Sequence, residues 1–260
     1  MTPILAFDIE TVPDVAGIRK LYDLPEDLAD REVAEVAFQK RRTLTGSDFL
    51  PPHLQKVVVI SCVLRTDEGF QVFSIGEPER KEREAIQKFY DGLEKLIPQL
   101  VSWNGGGFDL PVMNYRALMH GISAPRFWNT GEDSRDPFRY NNYVNRYHER
   151  HTDLMDCLAM YQPRNNAPLD QVAQLAGLPG KIGVGGAMVW ETYLAGELAK
   201  IRDYCEVDTV NTYLLFLRFQ FLRGVFSKDA FEKEKDVLRQ HLKEQAKPHW
   251  REFLERWTDT

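Results

Sequence analysis

Residues 3–11, PILAFDIET, restrict the fold more than any other segment, being β-rich and nearly continuous in apolar residues up to Asp8. A strand that is apolar on both faces must be covered on both faces, so it belongs inside a sheet with packed layers on either side. KVVVISCVL (56–64) predicts a second buried strand, and GFQVFSI (69–75) a third, joined to it by a hairpin turn around Asp67 and Gly69. Residues 79–97 are charged, but Ala85, Ile86, Phe89, Leu93, Leu96 and Ile97 recur at helical spacing. A short strand, LVSW (100–103), precedes a glycine-rich turn. A helix is then expected from Asp109, with Pro111 in its first turn and Gly121 beyond its end. From about 152 the pattern is mostly helical, through DLMDCLAMY, LDQVAQLAG and MVWETYLAG to a long helix over 197–223. Strands first, with helices interspersed and then dominant, predict an α/β fold: a mixed β-sheet flanked by helices.

Two segments stand apart. Residues 12–55 form an insertion after the first strand, helical in EDLADREVAEVAFQKRR and ending in FLPPHLQ; long insertions between core elements often serve as lids. The helical C-terminal tail, 226–260, is highly charged, yet Trp250, Phe253, Leu254 and Trp257 follow Pro248 at i, i+3, i+4 and i+7. That amphipathic stripe predicts packing onto the core or onto a second subunit. The remaining residues, 1–225, then make one domain.

Composition narrows the function classes. A net charge of −6 lacks the global positive field of a non-specific nucleic-acid coater. No apolar stretch reaches the roughly 18 residues of a membrane span, and TPILAFDIE carries no secretory leader pattern. Cys62, Cys157 and Cys205 have neither disulfide-framework nor zinc-site spacing, which predicts a cytoplasmic protein.

Asp8 and Glu10 are placed at the end of the first strand, and the period of two puts both carboxylates on one face. Spacing alone is weak, since roughly six acid-x-acid pairs arise by chance in a chain of this composition. Their position after a buried apolar strand is more informative, because acids there need compensation. In WNGGGFDLP, three glycines allow a ligand close approach. Asn104 there can hydrogen-bond a nucleotide or brace the turn, Phe108 can stack on a base or join the core, and Asp109 can be a metal ligand or a helix N-cap. In RDYCEVDTVNTY, Tyr204 and Asp208 are four apart on one helix face. Four carboxylates brought together repel strongly, unless divalent cations sit among them. An all-oxygen set selects Mg²⁺ or Mn²⁺, and two such ions suit in-line phosphodiester hydrolysis.

AFDIET, WNGGGFDLP and YCEVD, in that order, resemble the three motifs of the DEDD exonucleases, and the Tyr before the last Asp resembles the DEDDy branch. GSDFLPPHLQ, NRYHERHTDLMD and LAGLPGKIGVGG are similar to segments of the stand-alone predicted 3′–5′ exonucleases related to the family B DNA polymerase proofreading domain. The likeness covers about residues 3–222. It implies an RNase H-like fold and a 3′–5′ exonuclease with two Mg²⁺ or Mn²⁺ ions. Asp8, Glu10 and Asp208 would hold the first ion, Asp8 would bridge to a second held partly by Asp109 through water, and Tyr204 would orient the attacking water. The implied partner is the 3′ end of single-stranded nucleic acid, DNA favoured over RNA.

On the substrate side, RDPFRYNNYVNRYHERH interleaves basic and aromatic residues, among them Arg146 and Tyr147, as a single-strand groove does; it equally fits a solvated helix with one packed aromatic side. Asp153 reads mainly as a helix cap. PGKIGVGG lacks P-loop spacing and predicts a flexible loop that brings Lys181 near phosphate. Arg41 and Arg42 fit either a strand clamp or solvated helix charges. The competing functions are an exoribonuclease of the same chemistry, an RNase H-like endonuclease and a non-catalytic nucleic-acid-binding module.

Overall fold

The computed structural model describes residues 2–76, 81–183 and 185–258. β1 (Ile4–Pro13) leads into an insertion with α1 (Val15–Leu21), α2 (Asp30–Thr45) and a 3₁₀ turn (Pro52–Leu54). β2 (Gln55–Thr66) and β3 (Gly69–Ile75) form the hairpin, followed by α3 (Glu82–Leu96), β4 (Gln99–Ser102), α4 (Asp109–His120) and α5 (Pro125–Trp128). β5 (His151–Asp153) runs directly into α6 (Leu154–Leu158), then α7 (Leu169–Leu175), α8 (Val189–Leu194) and the long α9 (Leu198–Leu222). α10 (Lys228–Gln245) and α11 (Pro248–Arg256) make the tail. The helix expected from 79 starts at Glu82; residues 79 and 80, like Val184 of the PGKIGVGG loop, lie outside the described residues.

The sheet order is β3-β2-β1-β4-β5. β1 and β2, and β2 and β3, are antiparallel, whereas β4 and β5 run parallel to β1. The C-terminal ends of β1, β4 and β5 therefore open on one edge of the molecule. Both faces of β1 are covered, as its apolar run requires. Leu5, Phe7 and Ile9 pack with α3 and α4 side chains such as Phe89, Leu93 and Met113. Ile4 and Ala6 pack on the other side with Val207, Val210 and Leu214 of α9. The alternation then carries Asp8 and Glu10 to the α9 side.

Several details differ from the expectation. β1 continues to Pro13, so Asp8 and Glu10 lie within the strand rather than at its end. β4 pairs with β1 only at Ile4–Ala6 and then turns away, leaving the second half of β1 open along that edge. On the β2 side the register slips between Glu10 and Thr11, with Val58 as the extra residue, a bulge of the kind that accumulates beside functional sites. Residues 135–151 form no long helix: Pro137–Arg139 is a 3₁₀ turn, and Phe138 and Tyr143 are buried. The three-residue β5 follows where only helix was expected. The insertion has its own small core of Ile18, Val33, Ala37, Leu50 and Leu54. In the tail, Trp250, Phe253 and Trp257 join the core cluster on the α9 side, with Leu254 packed against it.

Candidate active site

Asp8 and Glu10 project from β1 toward α9, and ligand-capable atoms of both lie within 4.8 Å of each other and of the Cys205 sulfur. Asp109 reaches the same place from the opposite layer. Because β4 has left, the Ile9 amide has no strand partner on that side. It donates instead to Asp109 Oδ1 at 3.1 Å, so the acid is fixed by the orphaned donor between the two strand carboxylates. The alternative reading of Asp109 as N-cap does not hold: Phe108 occupies the cap and Asp109 is the first helical residue.

Tyr204 and Asp208 face the site from α9, both almost fully buried. The Tyr204 hydroxyl donates to Asp208. Lys181 comes from the 180s loop, its amide donating to Asp170 Oδ1 at 2.7 Å, and its ammonium lies 5.9 Å from the centre of the Tyr204 ring. These five residues and Lys181 converge; their sequence positions span 200 residues, and the fold brings them to one edge.

The electrostatics are those of crowded acids. Burial, then the charges of Asp109, Glu10 and Asp208, hold the Asp8 carboxyl well above the usual range. Glu10 is raised by burial and by Asp208 and Asp109, with Lys181 opposing. Burial pushes Asp109 up to about 7, against the hydrogen bond from Ile9. Burial likewise pushes Asp208 up to about 6, against the Tyr204 hydrogen bond and the Lys181 charge. Burial and the neighbouring acids raise the Tyr204 phenol, which stays protonated and able to donate. Among the described residues none of the four acids forms a salt bridge. Four acids offset only by Lys181, which faces Glu10 and Asp208 without a salt bridge, fit a site for hard divalent ions.

A second cluster makes the contrast. Asp203 and Glu206 of α9 meet His249 of α11, but Lys247 Nζ lies 2.8 and 3.1 Å from the two Glu206 oxygens and His249 Nε2 3.0 Å from one of them. Burial alone would raise Glu206; hydrogen bonds from His249 and Lys247 outweigh it and hold the carboxyl below its ordinary value. Here the chain supplies the positive charge itself.

The chain belongs to the family of predicted 3′–5′ exonucleases related to the exonuclease domain of PolB. Residues 47–257 match that family's description, and the mixed five-stranded sheet flanked by helices is its RNase H-like α/β fold. The match includes Asp109, Tyr204 and Asp208 and reaches through the tail, whereas Asp8 and Glu10 precede it. No curated protein matches the chain. Among the described residues no helix is long and apolar enough to cross a membrane.

The other residues expected at the substrate side of this exonuclease fold are dispersed. Asn104 has a left-handed backbone (φ 66°) and braces the turn, its carbonyl accepting from Gly107 and Phe108 at 2.9 and 3.0 Å. Of the three glycines, Gly105 is the one that the turn itself demands, since an added Cβ would lie 2.4 Å from Ser102 Oγ and 2.5 Å from Ser102 Cβ. A Cβ at Gly107 would lie 2.4 Å from Asn104 Oδ1, which is only a movable side-chain end. Phe108 is half-buried and packs against exposed Phe49. Arg146 is paired with Asp156 at 2.7 Å, and Tyr147 packs edge-on against Tyr161. Arg146 lines a 470 Å³ cavity beyond the glycine turn, with Asn104, Trp128 and His151. Asp153 does more than cap. It accepts from the Asp156 amide at 3.4 Å, and its two oxygens also take the Asn104 and Gly106 amides at 2.9 Å each. Phe49 and Cys205 carried no sequence signal: one is a single ring in an insertion, the other a small buried residue inside a helix.

Proposed function

We propose that this protein removes nucleotides one at a time from the 3′ end of single-stranded nucleic acid, DNA in preference to RNA, with two Mg²⁺ or Mn²⁺ ions. The observation that carries the reading is a set of four acids, Asp109 and Asp208 buried and Asp8 and Glu10 half-buried, without a salt bridge among the described residues and joined by a Tyr-Asp pair, in a chain of this exonuclease family. Asp8, Glu10 and Asp208 would hold one cation, and Asp8 together with Asp109 the other. Bound divalent cations supply Lewis-acid polarisation of the phosphodiester and charge compensation at the leaving oxygen.

The chain's own residues do the positioning. The Tyr204 phenol stays protonated and hydrogen-bonded to Asp208, so it orients the attacking water rather than removing its proton. Lys181 adds a positive charge facing Glu10 and Asp208 and suits a phosphate oxygen. Asn104 and Phe108 bound the terminal nucleotide, and Arg146 and Tyr147 lie on the strand's path beyond the glycine turn. Residues 1–225 form the exonuclease domain, with 12–55 as an insertion and 226–260 as a helical appendage.

The test is a gel of matched 3′-labelled and 5′-labelled single-stranded DNA and RNA with Mg²⁺ or Mn²⁺. Mononucleotide release that stops at a blocked 3′ end, is lost in Asp8→Ala and Asp208→Ala, and is slowed less by Tyr204→Phe, is the expected result. Internal cuts on a blocked strand would make the protein an endonuclease. Binding without shortening, across metals and pH, would make it a non-catalytic module.

A further inference from the structure

The insertion places an aromatic ring beside the candidate site. Phe49 is 58 % exposed, while Leu50 and Leu54 just after it are anchored in the insertion's own core. Its ring stands 5.2 Å from that of Phe108, tilted by 49°, and Phe108 directly precedes Asp109. Four residues further on, His53 packs 5.8 Å from Tyr115. Residues 49–53 therefore run alongside α4 from its first turn onward. The end at which Phe49 stands is the end that carries Asp109.

The ring is held in place. The Phe49 amide donates to Ser47 Oγ at 3.2 Å, and Arg41 Nε at the end of α2 donates to the Phe49 carbonyl at 3.1 Å. Arg42 pairs with Asp48 at 3.0 Å, which fixes the preceding turn. Among the described residues the terminal nitrogens of Arg41 have no partner. An exposed ring and an unpaired guanidinium, braced together at the edge of an acid cluster, are the two elements that hold single-stranded nucleic acid: stacking for a base and charge for a phosphate.

We propose that Phe49, set against Phe108, stacks on the terminal base of the strand entering the site, and that Arg41 meets its backbone. This rests on the exonuclease reading and assigns the insertion a substrate-gripping role. Base stacking is tolerant of sequence, so the clamp would grip any 3′ nucleotide that has a base and discriminate against one that has none.

The experiment compares two single-stranded oligonucleotides that differ only at the 3′ terminus, one ending in thymidine and the other in an abasic tetrahydrofuran residue. The wild-type protein should show a KM roughly tenfold lower for the thymidine end, the scale of one stacked base. Phe49→Ala should bring the two KM values close together, and Phe49→Trp should restore the difference. A Phe49→Ala protein that keeps the wild-type preference would overturn the clamp. So would a wild-type protein with equal KM for both ends. If neither end is removed in Mg²⁺ or Mn²⁺, the exonuclease reading itself fails and the clamp with it.

Discussion

Glu206 and Asp8 are both acids packed at α9, yet only Glu206 has cations beside it. Asp8 is surrounded by Glu10, Asp109 and Asp208, which raise its carboxyl along with burial. Neutralising it should therefore relieve repulsion while removing a metal ligand. Asp8→Asn is expected to raise the melting temperature in EDTA by a few degrees and to abolish hydrolysis. An unchanged or lower melting temperature in EDTA would mean that the acids do not strain the fold. Asp153 acts at one remove, holding the Asn104 and Gly106 amides. Its removal should lower kcat on a single strand roughly 10- to 100-fold, the range found when a supporting hydrogen bond is lost around a metal site. A loss under about twofold would leave Asp153 as a cap alone. The sequence carried Asp8, Glu10, Tyr204 and Asp208 through spacings that a strand or helix turns into a direction, Asp109 through its place at a helix start, and Lys181 only as a residue of a glycine-rich loop. It could not carry Asp153's double duty or the Phe49–Phe108 contact, since both depend on loops that meet only in three dimensions.

Between elements, periodicity worked where segments were long. β1, β2, β3 and α9 were legible because apolar residues recur over seven positions or more. β5 was not, because three residues cannot display a period and, among the described residues, it pairs with β4 alone. Residues 135–151 were half legible: of their rings, Phe138 and Tyr143 fill the core under α5, as the packed-side alternative expects, while Tyr140 and Tyr147 stay exposed. The tail's stripe was legible, but what also fastens it was not. Lys247 and His249 of the α11 start reach Glu206, whose side chain is 2 % exposed. Glu206→Ala leaves Lys247 without its acid and His249 with Asp203 alone, and because Lys247 is partly exposed it should cost about 3 kcal/mol, the low end for a broken buried pair, measured by urea denaturation. A cost below about 1 kcal/mol would class the contact with ordinary surface pairs.

For the whole molecule, the acid cluster sets how stability follows pH when no divalent cation is present. Asp109 titrates at about 7 and Asp208 at about 6 in the folded chain, both raised first by burial. A carboxyl with a raised folded pKa binds its proton more tightly folded than unfolded. Its contribution is thus complete below about 4, the ordinary carboxyl range, and fades as pH rises through 6 and 7. His249 acts in the same direction. Burial would lower it, but Asp203 and Glu206 raise it, and what it adds is lost on deprotonation. The melting temperature in EDTA should fall from pH 5 to pH 8, and Mg²⁺ should restore more of it at pH 8 than at pH 5. A flat profile with an equal Mg²⁺ effect at both would separate the cluster from cation binding. α9 is buried from Tyr204 to Leu217 on every side, with the sheet against one flank and α7, α10 and α11 around the rest. It works as an axle on which both Tyr204 and Asp208 of the acid cluster and the C-terminal packing are mounted. A shortened form of this chain that dropped α10 and α11 would strip that axle of part of its bearing, so variation in length has freer play in the 12–55 segment, which packs on its own small core.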